Sequence, residues 1–278
     1  MKIDIQQFDI PPDLKPYLGS IWFCAGDGPE TEMSPVQSCL PTGMVELIIH
    51  LTPSRHIVNW DDEWRVFPEA IVVGLQTEPV RWKMPGGTAM LGITIKPEVF
   101  FSLYNRQISE LADDFADVND FLGNQLDGFL DNLRAGRDLE SVRLETLRYF
   151  RERVHSNFTS CQRNYLPEAI QYIREATGLQ SVDDVCGKVF VGKRQLQRAF
   201  QDYVGVSPKT YGRIVRFRGA YDFVHRYPQA SWADVTYHFG YSDQSHFIRD
   251  FKQFTGENPT SFMTAFTLKS NIPFALSV

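Results

Sequence analysis

Two sets of polar side chains recur at helical spacing in the last third of the chain. Arg194, Gln197, Arg198 and Gln201 stand at i, i+3, i+4 and i+7, so a helix there gathers them on one face. Their chemistry suits base edges: Arg offers paired donors to guanine O6 and N7, and Gln matches adenine N6 and N7. Gln244, Ser245 and Arg249 form a second set, with Lys193 and His246 adjoining the two. Ile248 takes the place that Gln197 holds in the first set and reads more readily as packing than as a contact to a thymine methyl. A solvated helix face accounts for either set alone. The argument for more is that each polar face is backed by an apolar stripe: Leu196, Ala199, Phe200 and Tyr203 in the first, Phe247, Phe251 and Phe254 in the second.

The elements that carry these faces are duplicated. Ser181 to Asp184 and Ser231 to Asp234 are both capping-box starts, offset by 50 residues. The pairs Leu196/Phe247, Arg198/Arg249, Phe200/Phe251, Gly205/Gly256, Pro208/Pro259 and Tyr211/Phe262 are offset by 51. One supersecondary unit therefore occurs twice, with one extra residue between cap and anchor in the second copy. In the first copy Val182, Val185, Cys186 and Val189 supply the leading helix. In the second Val235 and Phe239 do so, and Gly240 stands where a turn needs positive φ. Ser207-Pro208 and Asn258-Pro259 close the copies as cap and first helical residue.

Between the copies, residues 208–226 carry an apolar stripe of Ile214, Phe217, Ala220 or Tyr221, and Val224. As one helix they span roughly 28 Å at 1.5 Å per residue. Successive major-groove faces on one side of B-DNA lie about 34 Å apart, so such a helix holds two reading heads at nearly the right separation. Arg213, Arg216, Arg218 and Arg226 could reach phosphates, although for each taken singly a surface salt bridge is the plainer reading.

The charge divides along the chain. The whole carries −6, but residues 161–278 hold 14 basic and 10 acidic residues and residues 1–160 hold 14 basic and 24 acidic ones. A basic end attached to an acidic one fits a nucleic-acid partner at the basic end. No apolar run reaches the length of a membrane span, and the first residues lack a signal-peptide core, so a cytoplasmic location with no membrane partner is expected. Cys24, Cys39, Cys161 and Cys186 form no CxxC pair, and no disulfide framework is expected. Catalytic patterns are wanting too: no Ser-His-Asp arrangement and no P-loop. Glu46 and His50 share a strand face, but the His-x-His pair of a metal-binding barrel is missing. Neither enzyme activity, nor a metal, nor a cofactor is expected.

The first half reads as short strands at 21–25, 45–51, 64–67, 70–74, 80–84 and 90–95, the spacing of a small sandwich or barrel. A helix opens at Pro97, a second is suggested by Val118 to Leu133 despite Gly123 and Gly128, and a third by Leu139 to Val154. The expected organisation is a β-rich domain with trailing helices over 1–155, a linker at 156–164, an all-α domain at 165–266 and a tail at 267–278.

Residues 166–266 resemble the DNA-binding domain of AraC/XylS-type regulators. Phe239-Gly-Tyr-Ser-Asp-Gln-Ser-His-Phe-Ile-Arg-Asp-Phe and the residues to Phe262 match that family's signature almost position by position, and Leu196-Gln-Arg-Ala-Phe200 with Gly205-Val-Ser-Pro208 matches the first copy. Phe190 in the first turn, Gly192 at a cap that is usually Ser, Thr236, and Met263 after Phe262 depart from the pattern. The resemblance implies two helix-turn-helix units in adjacent major grooves of double-stranded DNA. Lys193, Arg194, Gln197, Arg198, Gln244, Ser245, His246 and Arg249 are the candidate DNA contacts. More loosely, Pro41-Thr-Gly-Met-Val-Glu-Leu47, Val73-Gly-Leu75 and Leu91-Gly-Ile-Thr-Ile95 resemble the cupin-like sensor barrel of such proteins. That implies a small-molecule effector, dimerisation through the helices after the barrel, and contact with RNA polymerase. Trp22, Trp60, Trp64 and Trp82 could line an apolar pocket, and Trp22, Glu46, Trp60 and Trp82 are the candidate effector residues; plain barrel core and surface aromatics are the alternative for each. Two other readings stay open: a first domain that binds only a protein partner, and a cupin-type enzyme with a DNA-binding module.

Overall fold

A computed structural model describes residues 1–136, 138–157 and 165–262. Ten strands fill the first half: β1 (Ile3–Phe8), β2 (Leu18–Gly26), β3 (Gln37–Cys39), β4 (Val45–His50), β5 (Ile57–Trp60), β6 (Glu63–Val66), β7 (Ala70–Val73), β8 (Val80–Lys83), β9 (Ala89–Ile95) and β10 (Phe115–Asp117). They form two antiparallel sheets, β1-β2-β9-β4-β7-β10 and β3-β8-β5-β6. The six expected strands are all present. The four additional ones are either very short or, like β1, an edge with polar residues in alternation, which gives little apolar signal.

The large sheet is covered on both faces, and its sequence shows why. Along β4, Val45, Leu47 and Ile49 point to one side and Glu46, Ile48 and His50 to the other, as the two-residue strand period requires. Leu91, Ile93 and Ile95 of β9 and Ala70 and Val72 of β7 join the first set in a core against helices. Trp22, Cys24, Ile71 and Met90 join the second, facing Val58 and Trp82 of the small sheet. A bulge between Leu18 and Ser20 shifts the alternation in β2, which is why Leu18 and Ile21 face the same side.

The helices begin with α1 (Pro97–Tyr104), opened by proline at its first position, and a 3-10 turn at Ile108–Leu111. The expected helix from Val118 to Leu133 is broken into α2 (Val118–Leu122), a 3-10 turn (Gly123–Leu126) and α3 (Asp127–Ala135), because Gly123 adopts φ +64°. Next comes α4 (Leu139–Asn157), which continues past the expected boundary at residue 155. The rest of the expected linker and the 267–278 tail lie outside the described residues, as does Met263. The last third is α5 (Tyr165–Glu175), α6 (Val182–Val189), α7 (Lys193–Val204), α8 (Pro208–Arg226), α9 (Trp232–His238) and α10 (Gln244–Thr255). One continuous apolar core runs from Leu14 through α1, α3 and α4 to α5, α6, α7 and Tyr211. A separate core joins the rest of α8 to α9 and α10.

Candidate nucleic-acid interface and effector cavity

Each helix-turn-helix unit starts on a complete capping box. Ser181 Oγ accepts from the Asp184 amide while the Asp184 carboxylate accepts from the Ser181 amide, and Ser231 with Asp234 repeats this. The turns repeat as well. Phe190 and Gly240 follow the two first helices with φ of +55° and +59°. The turn then takes Val191 and Gly192 to the cap of α7, but Tyr241, Ser242 and Asp243 to the cap of α10. The extra residue of the second copy thus lies in the turn. Asp243 caps α10 by accepting from the His246 amide at 2.7 Å, whereas Gly192 leaves α7 without a side-chain cap.

Both apolar stripes are buried: Leu196, Ala199, Phe200 and Tyr203 on α7, and Phe247, Phe251 and Phe254 on α10. Arg194, Gln197, Arg198 and Gln201, and on α10 Gln244, Ser245 and Arg249, are exposed. Lys193 is also exposed and pairs with Asp183 at 3.1 Å, and Arg198 lies 3.9 Å from Asp202. His246 is half-buried, with Nδ1 3.2 Å from the Ser242 hydroxyl. Ile248 packs against the α8–α10 core, as the sequence suggests.

The helix between the units, α8, covers residues 208–226 as expected, with Ser207 capping the Thr210 amide and Pro208 first in the helix. Three of its four arginines are committed within the protein. Arg213 donates to Asp250 at 2.7 Å and to Gln253 at 2.6 Å, tying α8 to α10. Arg216 donates to the Gly178 carbonyl at 2.6 Å, and Arg218 is buried beside Asp222. Arg226 alone of the four is exposed.

In the β half, Trp22, Glu46, Trp60 and Trp82 line one cavity of about 60 Å³ between the sheets. Trp64 lies elsewhere: it is 41% exposed, with Lys83 Nζ 4.5 Å from its ring centre. The Trp22 ring crosses Gly92, its partner on β9; a Cβ there would sit 1.9 Å from Trp22 Cε2. Trp22 Nε1 donates to Glu46 Oε1 at 3.0 Å. Burial pushes the Glu46 carboxyl up to about 7. His56, Phe67 and Cys39 also line the cavity; Cys39 and His56 lie on or beside β3 and β5, which carry little strand signal, and Phe67 falls at the end of an expected strand whose facing the sequence did not give. His56 Nδ1 lies 2.7 Å from His50 Nε2, and His50 Nδ1 lies 3.1 Å from the Glu69 carbonyl. A proton on each Nδ1 satisfies both contacts, and burial pushes His56 down to about 3, keeping it neutral.

The loop at 40–44 joins the cavity to the helical half. Leu40, Pro41, Thr42 and Met44 line the cavity. Leu40 also packs against the α8–α10 core, and a Cβ at Gly43 would touch Ile214 and Tyr211 of α8 at 3.5 Å. Beside the loop, Arg174 of α5 clamps Glu98 of α1 with both terminal nitrogens, one at 3.1 Å, and donates to the Tyr211 hydroxyl at 2.7 Å. A cleft of about 700 Å³ between the halves shares Thr42 and Met44 with the cavity and is bordered by Lys15, Lys96, Arg174 and Arg218. Among the described residues, no group of three or more His, Cys, Asp or Glu is placed to hold a metal ion, and no helix is long and apolar enough to cross a membrane.

Residues 185–265 match a helix-turn-helix domain family, and residues 6–117 match a domain of unknown function, DUF6597. The duplicated units and the first of these matches agree on a helix-turn-helix domain in the last third of the chain. No curated protein matches the chain significantly. Among solved structures, ToxT from Vibrio cholerae O395 is similar over 96% of this chain and 98% of that one, at 12% identity and a TM-score of 0.46. A probable AraC family transcriptional regulator from Rhodopseudomonas palustris CGA009 is similar over 37% of this chain and 96% of that one, at 22% identity and a TM-score of 0.33.

Proposed function

We propose that this protein is an AraC/XylS-type transcriptional regulator that reads DNA sequence through α7 and α10 in two successive major grooves and responds to a small molecule held between its sheets. One observation carries the reading: two exposed Arg/Gln faces, each backed by a buried stripe, are joined by a 19-residue helix. That helix is about 28 Å long, and its bond from Arg213 to Asp250 fixes α10 against it. The candidate contacts are Lys193, Arg194, Gln197 and Arg198 on the first head and Gln244, Ser245, His246 and Arg249 on the second. The cavity supports an effector over a protein partner, because Trp22, Glu46, Trp60 and Trp82 converge on a partly open recess between the sheets, with Trp22, Glu46 and Trp82 buried instead of forming a surface patch. The loop at 40–44 supplies the route by which an occupant would act on α8. Dimerisation through the helices after the sheets and contact with RNA polymerase belong to the same reading, on bacterial-type promoters.

The test is selection of duplexes from a random pool by the full chain, followed by affinity against salt. A reproducible site whose affinity falls steeply as salt rises is expected, since phosphate contacts release counterions. Binding indifferent to both salt and sequence would overturn the reading.

A further inference from the structure

The cavity has a chemical character that narrows its occupant. Its wall holds three tryptophans and Phe67, together with Leu40, Ile48, Val58, Val73, Val80 and Met90. Glu46 is the one carboxylate in the lining, and no lysine or arginine reaches it. Glu46 is 8% exposed, and among the described residues Trp22 is its single hydrogen-bond partner, at Oε1. Oε2 is left for an occupant. An anion entering here would meet a carboxyl group and no cation in the lining; Arg218, whose charge acts on Cys39 from outside it, is paired with Asp222. A neutral apolar molecule would leave Glu46 unanswered. A cation would gain a counter-ion and the negative faces of the indoles, an attraction that strengthens on desolvation.

We propose that the cavity takes a small organic cation, an alkylammonium or quaternary ammonium group, with Glu46 as its counter-ion and Trp22, Trp60 and Trp82 as its aromatic wall. The proposal rests on the reading of this cavity as the effector site. The volume of about 60 Å³ limits the charged group to a few heavy atoms. Cys39 and His56, the other titratable groups in the lining, do not compete for the charge. Burial pushes the Cys39 thiol up and His56 down to about 3, so both stay neutral.

Three probes of one shape and different charge separate the alternatives: tetramethylammonium, tert-butanol and pivalate, titrated into the full-length protein at pH 8. Tryptophan fluorescence and calorimetry read the binding. Tetramethylammonium should bind about tenfold or more tighter than the other two. Glu46→Gln, which keeps an acceptor for Trp22, should remove most of that preference and leave tert-butanol unchanged. Trp60→Leu, at a half-buried position, should weaken tetramethylammonium roughly threefold or more while circular dichroism stays native. If pivalate or tert-butanol binds as well as the cation, the ligand class is wrong and the cavity reading survives. If none of the three binds the wild-type protein, both fail.

Discussion

At the scale of single residues, Glu46 makes a prediction about stability that is independent of any ligand. Its carboxyl group titrates at about 7 when folded against 4.5 for a free glutamate, because burial penalises the charged form. Between those values the unfolded chain ionises and the folded chain does not, so stability falls as pH rises from 4.5 to 7 and then levels. The full cost is roughly 3 kcal/mol. Glu46→Gln removes it, so the melting temperature of the variant minus that of the wild type should grow between pH 5 and 7.5; a constant difference would show that Glu46 ionises normally. Phe190 offers a second case. It holds φ +55° with its ring 93% exposed, where the second copy uses Gly240. Phe190→Gly should stabilise by about 1 kcal/mol, measured by urea unfolding, since the left-handed conformation costs a non-glycine residue about that much. The sequence revealed the turn through Gly240 and the departure at Phe190, but not that both residues take one backbone conformation. It also supplied Trp22, Trp60 and Trp82 as pocket candidates only by residue type, which is why it could not separate them from Trp64. That distinction depends on which sheet face each strand presents.

At the scale of elements, the helices were the legible part. Caps at Ser181, Ser207 and Ser231, prolines at 97 and 208, and apolar stripes at 3.6-residue spacing are local signals, and α1 and α8 fall where those signals place them. The break at Gly123 was visible only as a weakness in a pattern, because whether a glycine bends a helix depends on the packing of Phe121, Leu122 and Leu126 on each side. The arginines of α8 were the least legible. Spacing placed them on a helix, but their partners Asp250 and Gly178 come from other elements. Asp250 is the joint between α8 and α10, with its side chain 4% exposed. Asp250→Ala should cost roughly 2–3 kcal/mol in chemical denaturation, the scale of a lost hydrogen bond to a charged group. A loss within a few tenths of a kcal/mol would mean that the Arg213–Asp250 pair contributes little to holding α10.

At the scale of the molecule, the division of charge acquires a physical meaning. The acidic β-rich half and the basic helical half are fused through one core that includes the first reading unit, while the second unit has a core of its own. The first helix-turn-helix unit is therefore packed into the core of the β-rich half, and the loop at 40–44 and the Arg174–Glu98 pair are contacts between the two halves. Glu98 is 9% exposed at its side chain. Arg174→Ala should cost about 3–5 kcal/mol, because it strands that buried charge, and limited proteolysis should then cut between the halves more readily. The central claim is that one chain carries two reading heads. It is tested most directly by selecting DNA sites separately with the wild type, Arg198→Ala and Arg249→Ala. Each variant should relax preference at its own base position, with a loss of about 1–3 kcal/mol, and the two positions should lie about one helical turn, roughly 10 base pairs, apart. Relaxation of the same position by both variants, or a uniform loss of affinity across all sequences, would contradict it.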